Sequence, residues 1–167
     1  MIPDQREAGM LLSTPRSDGI LCLTLNDPAR RNSLSEAMLA ALGAAFDAAS
    51  SKPNVRVIIL SAAGPVFCAG HDLKEMTAGR QNADRGRAYF TKILDQCSSV
   101  MQKIVACPKP VIAEIDGVAT AAGCQLVASC DLAVASKKAQ FCTPGVHIGL
   151  FCSTPMVALS RNLANKH

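Results

Sequence analysis

The chain has 167 residues, a length that fits one ordinary domain or a large fragment of one. Hydrophobic residues make up 49% of it and charged residues only 18%, which excludes intrinsic disorder. Its 17 basic and 13 acidic residues are scattered and aromatics amount to 4%, so it has neither the basic stripe nor the stacking platform of a nucleic-acid binder.

Residues 1–18 read as a polar N-terminal arm, and 19–167 as a single core. The arm has no apolar stretch for a secretory signal, and Asp4 and Glu7 do not suit an acid-poor transit peptide. The default location is therefore the cytoplasm. Residues 20–25 form an apolar strand, broken by Asn26-Asp27-Pro28. Ser33 followed by Glu36 has the spacing of a capping box and opens a helix whose apolar face is Leu39, Leu42, Phe46 and Ala49. Residues 55–60 are nearly all apolar and predict a strand buried on both faces. A small-residue loop follows over 61–71. Asp72 with Glu75 marks a short helix start, and the polar segment 77–87 predicts a mobile surface loop.

The three-four spacing of Tyr89, Phe90, Ile93, Leu94, Cys97, Val100, Met101, Ile104 and Val105 predicts a long helix, stopped by Pro108 and Pro110. Residues 111–115 are a further strand, turned by Asp116-Gly117. Residues 119–123 read as a loop of small residues and 124–129 as a helix start. Short strands follow at 132–135 and 139–142, then a helix from Pro155. Strand, loop and helix alternate, so the class is α/β with crossover connections. The longest uncharged stretch, 139–160, contains Gln140, Thr143, Pro144, His147 and Pro155 and does not fit a membrane span.

The eight cysteines form no C-x-x-C pair and mostly adjoin apolar runs. They read as reduced small hydrophobes rather than metal ligands or nucleophiles. Two loops stand out: Gly64 to Leu73, and Asp116 to Gln125. Each follows an apolar strand and places small residues before a helix. Tight turns against a sheet explain this pattern. So do backbone N–H groups left free for a ligand, which, converging from two loops, make an oxyanion hole. Neither loop has the spacing of a nucleotide-binding fingerprint.

Phe67-Cys68-Ala69-Gly70-His71-Asp72-Leu73-Lys74-Glu75, Pro110-Val111-Ile112-Ala113 through Gly117, and Ala122-Gly123-Cys124-Gln125-Leu126 are similar to the crotonase (enoyl-CoA hydratase/isomerase) superfamily. Asn26-x-Pro28, Asn32-x-Leu34, the run Cys130 to Ala135 and the run Phe141 to Leu150 match in the same order. The resemblance implies a crotonase-like ββα spiral whose C-terminal helical region, missing or truncated here, helps build homotrimers or hexamers. It implies an acyl-CoA thioester as ligand, with coenzyme A as part of the substrate, no further cofactor and no metal. The oxyanion donors would be the backbone N–H groups of His71 and Ala122. The ligand would pass Ala29, Arg30 and Arg31, then Ala69, Gly70, His71, Asp72 and Leu73, and meet Thr120, Ala121, Ala122 and Gln125. In a eukaryotic cell the location would be mitochondrial.

Hydratases of the family carry two glutamates where this chain has Gln125 and Gly145. Neither can exchange a proton near neutral pH, so standard hydration is expected to be strongly impaired. The resulting reading is an acyl-CoA-binding enzyme that stabilises a thioester enolate. The alternative is a non-catalytic acyl-CoA-binding protein or a structural partner of active relatives. The remaining polar residues have two readings each. The His71 ring either faces the thioester or turns to solvent. Asp72 is a helix cap rather than a catalyst. Gln125 is a polar pocket residue or a purely structural one, and His147 a core or interface histidine. Thr120 and Thr143 are loop threonines or ligand contacts, and Arg30 and Arg31 a solvated pair or a contact to phosphate.

Overall fold

A hairpin opens the chain: β1 (Leu11–Pro15) pairs antiparallel with β2 (Ile20–Leu25). This and all that follows is read from a computed structural model, which describes residues 9–164. Five residues of the arm read from the sequence, Leu11–Pro15, are therefore a strand. β1 lies at the sheet edge with Ser13, Thr14 and Pro15 exposed, which gives it a polar signature. Residues 1–8 of the arm and 165–167 of the core range lie outside the described residues.

From β3 onward the chain repeats one unit. β3 (Val57–Ala62), β5 (Val111–Ile115) and β7 (Leu132–Ala135) join the first sheet, whose order is β1-β2-β3-β5-β7. Each is followed by a short strand in a second sheet, ordered β4-β6-β8: β4 (Val66–Cys68), β6 (Val118–Thr120) and β8 (Gln140–Cys142). After each strand pair comes helix: α2 (Leu73–Gly79) and α3 (Arg87–Val105), then α4 (Ala122–Ala128), then α5 (Ser153–Asn162). Apart from the β1–β2 hairpin, every strand pairing is parallel. The result is the ββα spiral expected. β4 and β6 were expected to be loop, because three residues are too few to display a period of two.

The core fills the space between one face of the first sheet and the helices. Leu23, Leu25, Ile58, Leu60, Val111 and Ala113 have no exposed surface, nor have Leu39, Leu42 and Phe46 of α1 (Glu36–Ser51). The expected strand 55–60 begins two residues later and is not buried on both faces. Its burial alternates, with Val57 and Ile59 only half covered. On α3, Ile93, Cys97, Val100, Met101 and Ile104 are buried, while Leu94 and Val105 are exposed because the apolar stripe is wider than the face α1 and the sheet cover. At the far end of the spiral β7 and β8 are exposed throughout, Leu132, Val134 and Phe141 included.

Helix ends depart from the sequence reading in two places. Ser35, not Ser33, caps α1, accepting from Met38 N–H, because the Ser33 hydroxyl donates to Asp72 instead. The segment expected as a mobile loop from 77 finishes α2 and then folds into turns. There Asp84 accepts from the N–H groups of Gly86 (2.9 Å) and Ala88 (2.8 Å) at the start of α3. α5 begins at Ser153, two residues before Pro155, which sits in the first turn where no N–H is needed.

Two glycines test this packing from opposite sides. A Cβ on Gly123 would lie 2.3 Å from the Cys68 carbonyl oxygen, so α4 rests on β4 with no room for a methyl group. A Cβ on Gly43, inside α1, meets only ordinary contacts at 3.7 and 3.8 Å. In urea unfolding, Gly123→Ala is expected to lose about 3 kcal/mol or more. Gly43→Ala is expected to gain about 0.5–1 kcal/mol. Equal effects of the two would contradict this packing.

Candidate functional site

Everything at the site rests on the turn after β2. Pro28–Arg30 makes one 3-10 turn, after which Arg31 (φ 55°) and Asn32 (φ 51°) are left-handed. Asparagine tolerates that conformation, and here its buried amide serves three backbone groups. Nδ2 donates to the carbonyls of Ala63 (2.9 Å) and Val66 (2.8 Å), and Oδ1 accepts from Asp27 N–H (2.8 Å). The turn is thus fixed to the β3–β4 corner. Ala69 N–H then donates to the Arg31 carbonyl (3.1 Å) and Leu34 N–H to the Gly70 carbonyl (2.8 Å).

Leu34 and His71 form an isolated parallel bridge. In such a pairing the N–H of His71 points away from the Leu34 segment. It has no acceptor among the described residues. On that far side lies the second small-residue loop. Gly70, at φ +86°, comes so close to it that a Cβ there would sit 3.1 Å from Ala121 Cβ and 3.3 Å from Ala122 N. Ala122 is the first residue of α4, and its N–H also lacks an acceptor among the described residues. Ala121 (φ 51°, ψ −122°) holds a backbone conformation that favours glycine. Its N–H donates to the Cys142 carbonyl (2.9 Å), and its carbonyl accepts from Gln125 N–H (3.1 Å). The two loops singled out in the sequence therefore touch, through Gly70 and Ala121–Ala122.

Burial lowers the His71 imidazole below the usual histidine range, partly offset by the Leu34 backbone, so the ring is neutral at pH 7. Its Nδ1 is buried with no hydrogen-bond partner among the described residues. Asp72 is the α2 cap, with Oδ1 accepting from Lys74 N–H (2.9 Å) and Glu75 N–H (3.2 Å). Its Oδ2 accepts from Ser33 Oγ (3.1 Å), with Arg30 Nη1 at 3.7 Å. Desolvation alone would raise this carboxyl, but the Glu75 and Lys74 N–H groups, Ser33 and Arg30 outweigh it and hold it below the ordinary value. Arg30 also pairs with Asp27 (2.7 Å), whereas Arg31 and Ala29 are exposed, Arg31 without an ion pair among the described residues. Ala69 and Thr120 are half-buried, and Leu73 is exposed.

Gln125 is buried, and its Oε1 accepts from Thr154 Oγ1 (2.9 Å) on α5. Gly145 is buried in the 3-10 turn Pro144–Ile148, where a Cβ would lie 2.7 Å from Cys152 Sγ and 2.8 Å from the Leu150 carbonyl oxygen. Both positions that lack a carboxylate thus adjoin the start of α5. Nothing in the sequence pointed to Thr154 or Cys152, since these contacts span separate turns of the spiral. His147 is exposed rather than part of this chain's core. Burial pushes the thiols of Cys68 and Cys130 up to about 12 and that of Cys97 to about 11, which suits small hydrophobes. Cys142 is exposed, with its thiol 3.1 Å from Thr120 Oγ1. No group of three metal-binding side chains occurs among the described residues.

Residues 15–166 match the family described as enoyl-CoA hydratase/isomerase. The chain is 52% identical over 156 residues to the enoyl-CoA hydratase domain-containing protein 3, mitochondrial, of Rattus norvegicus, covering 93% of this chain and 50% of that protein. It is 34% identical over 139 residues to the 2,3-dehydroadipyl-CoA hydratase of Escherichia coli, covering 83% of this chain and 51% of the relative. A solved structure of an enoyl-CoA hydratase from Mycobacterium smegmatis superposes with a TM-score of 0.87 at 52% identity, over 95% of this chain and 60% of that one. The chain spans about half the length of the curated relatives it matches.

The Asp72 clamp has a pH signature. A native carboxyl held below its unfolded value of about 3.9 adds stability that is complete well above that pH. The contribution drains away as pH falls through the native pKa. Asp72→Ala is expected to cost about 1–2 kcal/mol in urea unfolding at pH 7, and clearly less at pH 3. A gap of the same size at both values would show that the carboxylate is not what holds the turn.

Proposed function

The chain belongs to the enoyl-CoA hydratase/isomerase family, and from that premise we propose that it binds an acyl-CoA thioester and stabilises its enolate between the backbone N–H groups of His71 and Ala122. The observation that carries this reading is the contact of Gly70 with Ala121 and Ala122, which sets two unpartnered N–H groups on neighbouring loops. When the α-carbon of a thioester loses a proton, or its β-carbon is attacked, charge collects on the carbonyl oxygen. Preset donors aimed at that oxygen are worth on the order of 3 kcal/mol each. Ala29, Arg30, Arg31 and residues 69–73 line the course of the coenzyme A moiety in this reading, with Thr120 and Ala121 beside the thioester and Gln125 beside the acyl chain. Coenzyme A arrives with the substrate, and no metal or further cofactor is invoked.

Ordinary hydration is a poor candidate for the reaction. Gln125 and Gly145 cannot move the protons that water addition needs, which forfeits about 10²–10⁴-fold per group. Isomerisation, decarboxylation or thioester hydrolysis remain within the family's chemistry. The same absence favours a second reading, a non-catalytic acyl-CoA-binding protein or a structural partner of active relatives. For the whole protein we propose a homotrimer or hexamer in the cytoplasm, or in the mitochondrion of a eukaryote.

Two measurements test the reading. Ala122→Pro deletes one donor, and calorimetry with butyryl-CoA is expected to show binding weakened by about tenfold. Binding as tight as the parent's, with circular dichroism unchanged, would contradict the assignment of Ala122. Crotonyl-CoA hydration by the parent is expected to be negligible. Gln125→Glu, which keeps the acceptor for Thr154, is expected to raise it by about 10²-fold. Gly145→Glu is blocked by the Leu150 carbonyl and is expected to unfold the turn rather than restore activity. A parent as fast as a glutamate-bearing family member would overturn the claim that hydration is impaired.

A further inference from the structure

Gln125 is bonded at one end of its amide only. The residue is 7% exposed, and its Oε1 accepts from Thr154 Oγ1 (2.9 Å). Its Nε2 donates to nothing among the described residues. Yet Nε2 is not sealed in protein. The enclosed side-chain atoms without a partner among the described residues are His71 Nδ1, Tyr89 Oη, Gln96 Oε1 and Ser136 Oγ, and Nε2 is not one of them. A nearly buried amide thus uses its acceptor inside the fold and turns its donor toward open space, where only an acceptor satisfies it.

The place of that donor follows from α4. Gln125 N–H donates to the Ala121 carbonyl (3.1 Å), so the first turn of the helix runs from Ala121 to Gln125. Residues three apart share a helix face, which puts Gln125 on the side of Ala122. Helical side chains lean toward the N-terminus, so the amide lies back over the Ala121–Ala122 turn. Thr120 and Ala121, where that turn opens, are partly exposed. Thr154, the second residue of α5, holds Oε1 from the other side and leaves Nε2 as the free end.

We propose that Gln125 selects the acyl group, with Thr154 as its positioning residue: Nε2 donates to an oxygen on the β-carbon, so the preferred ligand is a 3-oxoacyl-CoA rather than a plain acyl-CoA. This rests on the thioester reading above. A thioester oxygen on the Ala122 N–H is three bonds from the β-carbon, and three helical residues rise about 4.5 Å, so a β-oxygen comes level with the Gln125 amide. A carbonyl offers lone pairs and no proton, which suits a donor whose own acceptor is taken. A methylene in its place would leave Nε2 without a partner.

Calorimetry at pH 7 with 3-oxobutyryl-CoA and butyryl-CoA, which differ only by a carbonyl for a methylene at the β-carbon, reads the preference as a ratio within one protein. The parent is expected to bind 3-oxobutyryl-CoA about tenfold more tightly. Gln125→Glu is nearly isosteric and keeps the acceptor for Thr154, but it replaces the donor with a carboxylate oxygen. The preference is expected to vanish or reverse, with butyryl-CoA bound within about threefold of the parent. Gln125→Met is expected to lose the preference as well, which covers a glutamate variant that does not fold. Thr154→Val is expected to cut the ratio to about threefold or less, and Thr154→Ser to restore it, whereas a merely structural threonine would shift both ligands together. A tenfold preference that persists in either folded Gln125 variant would overturn the proposal, and one unchanged in Thr154→Val would overturn the part given to Thr154. A parent that binds the two ligands alike overturns the proposal and leaves the thioester reading intact. A parent that binds neither overturns both.

Discussion

Two backbones meet where Gly70 faces Ala121 and Ala122, and the rest of the fold is arranged to keep them there. Successive turns of a parallel spiral lie side by side, so the loops leaving β4 and β6 become neighbours although they are far apart in the chain. Side chains at the contact must be small for the backbones to approach. The turn after β2 fixes one loop from below, through the buried amide of Asn32 and the Asp72 carboxylate. β8 fixes the other, through the Cys142 carbonyl on Ala121 N–H. The left-handed backbone of Ala121 is strain that these anchors sustain.

The electrostatics of the site follow from that geometry. Donors are contributed by the main chain, which costs no side-chain ordering and holds its direction as long as the spiral does. Proton transfer is another matter, since it needs a side chain that can change charge. Gln125 is an amide bound to Thr154, and Gly145 is a glycine pressed against the Leu150 carbonyl. The packing around Gly145 leaves no space for a side chain at that position.

Much of this was legible in the sequence where the signal is local. The runs at 20–25, 111–115 and 132–135 coincide with β2, β5 and β7, because each is apolar and bounded by turn residues. α3 was evident from its periodicity, though Leu94 and Val105 show that a stripe does not tell how wide the covering face is. The small residues of the two site loops were visible, as was the Asp72 cap. What stayed hidden depends on distant partners. Ser33 looks like a helix cap until Asp72, 39 residues on, claims its hydroxyl. Asn32 reads as a turn residue, yet it bonds carbonyls 31 and 34 residues away. Thr154 and Cys152 belong to the site only because α5 returns beside α4.

The central claim is that His71 and Ala122 present their N–H groups to a single acyl oxygen. An amide-resolved NMR titration of the uniformly ¹⁵N-labelled chain with butyryl-CoA tests it most directly. Both amide protons are expected to move downfield together along one binding curve, further than those of Leu34 and Ala69, which already donate to carbonyls. Saturable binding in which either amide fails to shift would contradict the claim.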